Sequence, residues 1–199
     1  AELLEWKETY RPNLFANTPD ILHEYLVAGG RPAFEARLVL AGTLSPSYGI
    51  YSGYEHVENV PARKGSEEYL DSEKYEVKKR SLDGPLLPLV MALNRARRDN
   101  PSLQHFDNLT FLETENESLF AYLKRTGDNT VVVVVNIDPF TTQAGACILP
   151  VATGLPPAYR VHDLLGGDEV GDDPDWTWHI GRNYVRLEPG QSHVLRIGG

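Results

Sequence analysis

The sequence predicts an α/β unit over residues 1–100, followed by an all-β unit over residues 101–199. In the first half short apolar runs alternate with helical patterns, whereas the second half shows only strands and turns. The junction Asp99-Asn100-Pro101 ends a helix, because proline cannot continue one and restricts the residue before it. We therefore expect two domains that meet at residue 100.

The first half alternates strands with helices, an order that is typical of a parallel sheet. The predicted elements are a strand at 14–17, a helix at 21–28 that Gly29-Gly30 ends, a helix from Pro32, a strand at 48–52, a long polar segment at 55–80 and a helix at 86–98. Two parallel strands leave unpaired edges, which folded proteins avoid. We therefore expect a piece of a larger sheet or barrel, in a chain truncated at its N-terminus.

The second half alternates apolar and polar residues with the period of a strand. The predicted strands are 109–114, 119–123, 131–137, 143–149, 158–163, 183–188 and 192–197. Gly127-Asp128-Asn129 supplies a turn between the second and third of them. Seven or so short strands at this spacing predict an antiparallel β-sandwich.

Composition excludes several classes of function. The 199 residues carry 19 Lys and Arg against 28 Asp and Glu, a formal net charge of −9. Such a chain is a poor general binder of nucleic acid, since phosphate contacts need clustered cations. The lone Cys147 excludes a disulfide framework and a paired-cysteine metal site. No apolar run reaches the ~20 residues of a membrane span. We expect a cytoplasmic protein that binds neither nucleic acid nor membrane.

Familiar catalytic motifs are also missing. The chain has no phosphate-binding loop, and residues 49–53 miss the G-x-S-x-G pattern by one position. His56 and Glu58 have the spacing of a deaminase motif, but its cysteine pair is absent. The six histidines show no zinc-protease spacing. We therefore expect no metal and no cofactor.

Two groups of residues carry possible chemistry. Asp20 follows the strand 14–17, at the end of a parallel strand where barrel active sites collect. Local chemistry favours another interpretation, in which Asp20 caps the helix 21–28. Residues 45–75 hold five of the ten tyrosines. Tyrosine offers an apolar face and a polar tip, which suits sugar binding and loop packing equally.

Three stretches then resemble one known family. They are RPNLFANTPDIL at 11–22, LSPSYGIYSGYE at 44–55 and GSEEYLDSEKYE at 65–76. They resemble the bacterial alpha-1,4-glucan:maltose-1-phosphate maltosyltransferases, a branch of the alpha-amylase superfamily. The resemblance covers essentially the whole chain and is strongest over 11–100. It implies the C-terminal part of a (β/α)8 TIM barrel, about strands seven and eight, over 1–100, followed by an antiparallel β-sandwich over 101–199.

The resemblance also implies a reaction and its residues. Members of the family move maltosyl from α-maltose 1-phosphate to the non-reducing end of an α-1,4-glucan and release phosphate. Asp20 matches the carboxylate that stabilises the transition state, after Pro19 where many amylases have histidine. Lys74 and Tyr75 match the pair that contacts the outer glucose of the maltosyl unit. The full-length protein would form a homodimer.

The family's nucleophilic aspartate and acid/base glutamate match no residue of this chain. A retaining mechanism needs both of these carboxyl groups. The chain's partner would therefore be the N-terminal part of the same enzyme, and the isolated chain is expected to be inactive.

Two other functions remain open. One is a non-catalytic carbohydrate-binding β-sandwich module, in which Trp176 and Trp178 would stack on glucan, although packing is the preferred role for these rings. The other is a different enzyme of the alpha-amylase superfamily, such as a trehalose synthase. The segments 17–20 and 66–75 argue against that second alternative.

Overall fold

A computed structural model describes residues 2–73, 77–166 and 175–198 of the chain. The helices are α1 (Glu2–Glu5), α2 (Glu24–Leu44) and α3 (Leu87–Asp99). The strands are β1 (Asn13–Phe15), β2 (Ser47–Gly49), β3 (Leu109–Thr114), β4 (Leu119–Thr126), β5 (Asn129–Asn136), β6 (Gln143–Leu149), β7 (Ala158–Asp163), β8 (Asp175–His179), β9 (Gly181–Leu187) and β10 (Ser192–Ile197).

The strands β1 and β2 form a parallel pair, with Leu14 opposite Tyr48. The helix α2 connects them, as a crossover between parallel strands requires. Both strands are only three residues long, shorter than the runs at 14–17 and 48–52 that the sequence predicts.

The helix α2 is kinked at Gly30, which has φ +52° and ψ −145°. Glycine tolerates this backbone conformation because it has no Cβ. Pro32 follows, where its missing N–H costs little at the start of a new helical turn. The sequence predicted that one helix ends at Gly29-Gly30 and that another begins near Pro32. The structure confirms a break at this place, as a kink within α2.

The other eight strands form one antiparallel sheet in the order β8-β7-β10-β5-β4-β3-β6-β9. The strand β3 pairs with β4 through residues 109–112 and with β6 through residues 113 and 114. The two edge strands, β8 and β9, are consecutive in the chain and contact each other. The sheet therefore curls until it is nearly closed.

The predicted fold class is wrong. The sequence and its resemblance predicted the last part of a (β/α)8 barrel followed by a two-sheet sandwich. The described residues contain one parallel pair of short strands, and all other strands belong to a single sheet. Alternation of apolar residues predicts where strands lie, but it does not count the sheets. Because β3 pairs with both β4 and β6, the strands expected to form two sheets belong to one.

The strand β5, near the middle of the sheet, is buried on both faces. In β5, Val131, Val133 and Val135 pack with residues of α2 and α3, whereas Val132 and Val134 pack inside the curl of the sheet. A strand covered on both sides is expected to be continuously apolar. This explains the run of five valines and confirms the strand predicted at 131–137.

Two cations satisfy the last carbonyls of α2. Arg97 of α3 donates through Nη1 to the Gly42 oxygen and, at 3.0 Å, to the Ser45 oxygen. Lys124 of β4 donates through Nζ to the Thr43 oxygen at 3.0 Å and to the His105 oxygen at 2.6 Å. The final carbonyls of a helix lack partners within it and carry partial negative charge, so cations there are stabilising.

The helix stop predicted at Asp99-Asn100-Pro101 is confirmed, since α3 ends at Asp99 and a 3₁₀ turn begins at Pro101. A domain boundary at residue 100 stays a prediction. One core cluster already crosses that position, because Val39 and Ala96 pack with Tyr122.

No helix in the described ranges is both long enough and apolar enough to cross a membrane.

A Gly190→Ala substitution tests the contact between α2 and the turn before β10. Gly190 has φ +67°, and a Cβ there would clash with the Pro32 carbonyl. We expect the free energy of unfolding to fall by more than about 2 kcal/mol. Gly127→Ala is the matched control, since Gly127 has φ +57° and open space around it. Urea unfolding that gives equal losses for both variants would contradict the contact.

Because Lys124 is buried, we expect the free energy of unfolding to rise at alkaline pH. Burial, and secondarily the nearby Arg97, lower the pKa of Lys124 to about 8, against the opposing effect of Asp107. Between that pKa and the unfolded value of 10.5 the unfolded chain binds more protons, so folding becomes more favourable as pH rises. The gain approaches roughly 3 kcal/mol by the end of this window.

The measurement is urea unfolding between pH 7 and 10.5, for the original chain and for Lys124→Met. The unpaired carbonyls left in the variant cost the same at every pH. The difference in stability between the two proteins should therefore grow with pH in favour of lysine. A pH-independent difference would contradict the lowered pKa.

Candidate functional site

Asp20 lies in a tight, exposed turn just after β1. The Ile21 N–H donates to the Thr18 oxygen at 3.4 Å and closes the turn. Leu22 is buried, and its N–H donates to the Glu67 oxygen at 2.6 Å. The turn is thus attached to the long polar loop, while the Asp20 carboxylate is accessible at the surface.

The helix-cap interpretation of Asp20 is wrong. The helix α2 begins at Glu24, and the Nδ1 atom of His23 accepts a hydrogen bond from the Tyr25 N–H at 3.1 Å. His23 therefore does what the sequence suggested for Asp20. The helix begins three residues later than predicted, because the chain first completes the turn and buries Leu22.

Asn17 joins three segments next to this turn. Its side chain is 3% exposed. Its Oδ1 accepts from the Tyr51 N–H at 2.7 Å, and its Nδ2 donates to Tyr69 Oη at 3.0 Å. One amide therefore connects the end of β1 to the chain after β2 and to the long loop. Sequence analysis placed Asn17 at the end of the predicted strand 14–17 and gave it no role; a polar residue at the end of a predicted apolar strand is the signal that could have identified it.

A charged network fixes the long loop. Arg80 donates to both carboxylate oxygens of Glu58 at 2.9 Å and also contacts Glu73. Glu73 accepts from Tyr51 Oη at 2.7 Å. The bonds from Tyr51 and Arg80 hold the pKa of Glu73 below its ordinary value, and Arg80 likewise lowers the pKa of Glu58. Bidentate pairs of this kind fix geometry well, so the loop is held close to the end of β2. Nothing in the sequence pattern indicated this pairing.

The four tyrosines of residues 45–75 that the structure describes divide into two groups. Tyr54 is fully buried and donates to the Phe34 oxygen at 2.5 Å, and Tyr69 is nearly buried. Packing is therefore their role. Tyr48 and Tyr51 are only partly buried, and Tyr48 lies under the Arg97 guanidinium, 4.8 Å from its ring centre. Tyr51 is the tyrosine of this group that adjoins Asn17 and Glu73.

Lys74 and Tyr75 lie outside the described residues. The structure therefore brings together the Asp20 turn, Asn17 and the loop up to Glu73, and the placement of Lys74 and Tyr75 stays a prediction.

Within the described residues, no three His, Cys, Asp or Glu side chains form a group that could hold a metal ion. Cys147 is buried in the core of the sheet, where burial raises its pKa to about 12. Its thiol is therefore a packing group.

A concave surface lies between β8 and β9, the two edge strands of the large sheet. Its volume is about 450 Å³, and Trp176, Tyr184 and His193 are among the residues that line it. Trp176 is 40% exposed and Tyr184 is 71% exposed. Trp178 is 6% exposed and belongs to the core, so the packing role preferred for the two tryptophans holds for Trp178 only.

Solved alpha-amylase structures share the fold of this chain. An alpha-amylase from Geobacillus thermoleovorans aligns with a TM-score of 0.67 at 14% identity, over 100% of this chain and 42% of that one. The maltogenic alpha-amylase AmyB from Thermotoga neapolitana aligns with a TM-score of 0.63 at 13% identity, over 100% of this chain and 45% of that one. At these identities the likeness concerns the fold alone.

Curated relatives are much closer in sequence. Residues 111–197 match the family model described as "GLGE, C-terminal". Alpha-1,4-glucan:maltose-1-phosphate maltosyltransferase 1 of Streptomyces coelicolor is 54% identical over 94% of this chain. The maltosyltransferase of Mycolicibacterium smegmatis is 43% identical over 98% of this chain. The chain spans 28% and 29% of these two relatives. The resemblance predicted from the sequence is therefore confirmed: the chain matches a C-terminal portion of the alpha-1,4-glucan:maltose-1-phosphate maltosyltransferases.

Proposed function

We propose that this chain contributes one catalytic carboxylate, Asp20, to a retaining maltosyltransferase. The whole enzyme would move maltosyl from α-maltose 1-phosphate to the non-reducing end of an α-1,4-glucan and release phosphate. The relatives carry the name of this activity. Assembly as a homodimer remains a prediction of the resemblance, and a location in the cytoplasm remains a prediction of the composition.

The exposure of Asp20 is the observation that carries this proposal. Its turn is fixed on one side by β1 and on the other by the bond from Leu22 to Glu67, yet the carboxylate itself is exposed. The helix that follows does not use it, because His23 is the cap. A solvent-exposed carboxylate on a fixed turn just after a parallel strand supports a role in chemistry.

Asp20 would act by electrostatics. Transfer by this mechanism passes through an oxocarbenium-like state, in which positive charge grows on the sugar ring. A carboxylate fixed against ring hydroxyls stabilises that state more than the ground state, which lowers the barrier. Lys74 and Tyr75 would hold the outer glucose of the maltosyl unit. The nucleophile and the acid/base group would come from residues outside this chain.

Two variants separate chemistry from folding at this turn, each measured in the full-length enzyme. Asp20→Asn removes a charge from an exposed side chain. We expect kcat to fall roughly 100- to 1000-fold, with the free energy of unfolding changed by less than about 0.5 kcal/mol.

His23→Ala is the matched control for this experiment. Removing the cap should cost about 1 kcal/mol of stability and leave kcat unchanged. An Asp20→Asn enzyme that keeps its turnover but unfolds more readily would contradict the assignment.

The isolated 199-residue chain should release no phosphate from α-maltose 1-phosphate in the presence of maltooligosaccharide. The reason is that a retaining mechanism needs a nucleophile and an acid/base group about 5–5.5 Å apart, and the resemblance assigns neither to this chain. A colorimetric phosphate assay checks this, with the full-length enzyme as the positive control. Phosphate release by the folded chain alone would refute the division of roles.

A further inference from the structure

We propose that Asn17 is a positioning residue for the reaction, because its buried amide determines where the Asp20 carboxylate lies. The inference rests on the proposed function, in which Asp20 stabilises the transition state. Asn17 is 3% exposed, so its side chain is placed too deeply to touch a substrate. It therefore acts through Asp20, which lies three residues further along the chain.

Backbone hydrogen bonds hold the chain on both sides of the Asp20 turn. Before the turn, the Ala16 N–H donates to the Gly49 oxygen at 2.9 Å. After the turn, the Leu22 N–H donates to the Glu67 oxygen at 2.6 Å. The residues between these two bonds must be positioned by other contacts.

Asn17 supplies such contacts. Among residues 17–21, all of which the structure describes, only Asn17 is buried. Its Oδ1 accepts from the Tyr51 N–H at 2.7 Å, and its Nδ2 donates to Tyr69 Oη at 3.0 Å. One bond uses the amide as an acceptor and the other uses it as a donor. Together they fix the orientation of the amide plane as well as its position.

Tyr69 is itself held in place. It is 5% exposed, and its ring meets the Tyr51 ring edge-on, with ring centroids 5.7 Å apart. Burial raises the pKa of Tyr69, against the opposing effect of the bond from Asn17, so the hydroxyl stays neutral near pH 7. Tyr69 lies two residues after Glu67, which holds the chain beyond the turn. One short piece of the long loop thus holds the turn at both ends.

The position of Asp20 matters because it is required in the transition state. A carboxylate stabilises a growing positive charge best when it is already in place, so that nothing has to reorganise during the reaction. A misplacement of about 1 Å can lower a rate roughly 100-fold. Catalytic groups keep this precision when the residues behind them are locked by packing and hydrogen bonds. The bonds of Asn17 provide such support for the turn.

The alternative is a purely structural role for Asn17 at the end of β1. That role predicts a lower free energy of unfolding and an unchanged kcat in the folded enzyme. Positioning predicts a lower kcat with little change in KM, because Asp20 contributes more to the transition state than to substrate binding. It also predicts that the effect of Asn17 disappears when Asp20 is no longer a carboxylate.

Kinetics of the full-length enzyme with Asn17→Ala test the proposal. We expect kcat for maltosyl transfer to fall roughly 10- to 100-fold. The KM for α-maltose 1-phosphate should change by less than about threefold. In an enzyme that already carries Asp20→Asn, the same substitution should lower kcat by less than about twofold, because both residues act through one carboxylate.

Tyr69→Phe is a second, milder variant. It removes the hydroxyl that accepts from Asn17 Nδ2 and leaves the bond to the Tyr51 N–H in place. We expect kcat to fall in the same direction as in Asn17→Ala, by a smaller factor. If Asn17→Ala does not fold, Tyr69→Phe alone decides, with and without Asp20→Asn.

Asn136→Ala is the matched control, because Asn136 is also a buried amide. Its Nδ2 donates to the Leu187 oxygen at 3.2 Å and to the Glu188 oxygen at 3.0 Å, at the end of β9. We expect this variant to unfold more readily in urea and to keep its kcat. A fall in kcat as large as that of Asn17→Ala would mean that general destabilisation is the cause and would overturn the proposal.

Two further results would overturn it. One is a folded Asn17→Ala enzyme that keeps its kcat. The other is an equal fall in kcat with and without Asp20→Asn. The proposed function fails by a different result, namely an Asp20→Asn enzyme whose turnover equals that of the original.

Discussion

The C-terminal end of α2 must find hydrogen-bond donors outside its own helix, and the rest of the structure depends on how it does so. Arg97 comes from α3 and Lys124 comes from the large sheet. By satisfying neighbouring carbonyls they fix the helix against both. The strand β2 starts three residues after α2 ends, so the same anchor determines where the parallel pair lies. Burying the charged Lys124 side chain carries a cost, which its lowered pKa records, and the two carbonyls that accept from its ammonium group offset part of that cost.

The residues next to Asp20 also depend on that anchor. They lie in the segments that directly follow β1 and β2, so their positions depend on where these two strands lie. Asn17 can reach Tyr51 and Tyr69 only if β1 and β2 are in register. The Arg80 network then holds the long loop against the same edge. The large sheet supports this edge through Lys124, which holds the end of α2.

Sequence reasoning worked where one residue type settles the local structure. The run of five valines correctly predicted β5. Gly30 and Pro32 correctly predicted the break in α2, and Pro101 correctly predicted the end of α3. It failed where the outcome depends on contacts between distant segments. Short strands at regular spacing are compatible with two sheets or with one. The number of sheets follows from the pairing of β3 with both β4 and β6. Asn17 bonds to residues 34 and 52 positions away, and Arg80 makes its bidentate pair with Glu58, 22 positions away; no local pattern encodes such contacts.

The valine run also has a consequence for how the chain reaches its native state. The segment from Thr130 to Val135 contains no charge, no proline and no glycine, and its residues favour extended structure. Such hexamers stack readily into cross-β assemblies when solvent can reach them. The native molecule hides this segment between β4 and β10, with α2 over one face. Slow docking of the helix would therefore reduce the yield of soluble protein on refolding, even if the final state were very stable.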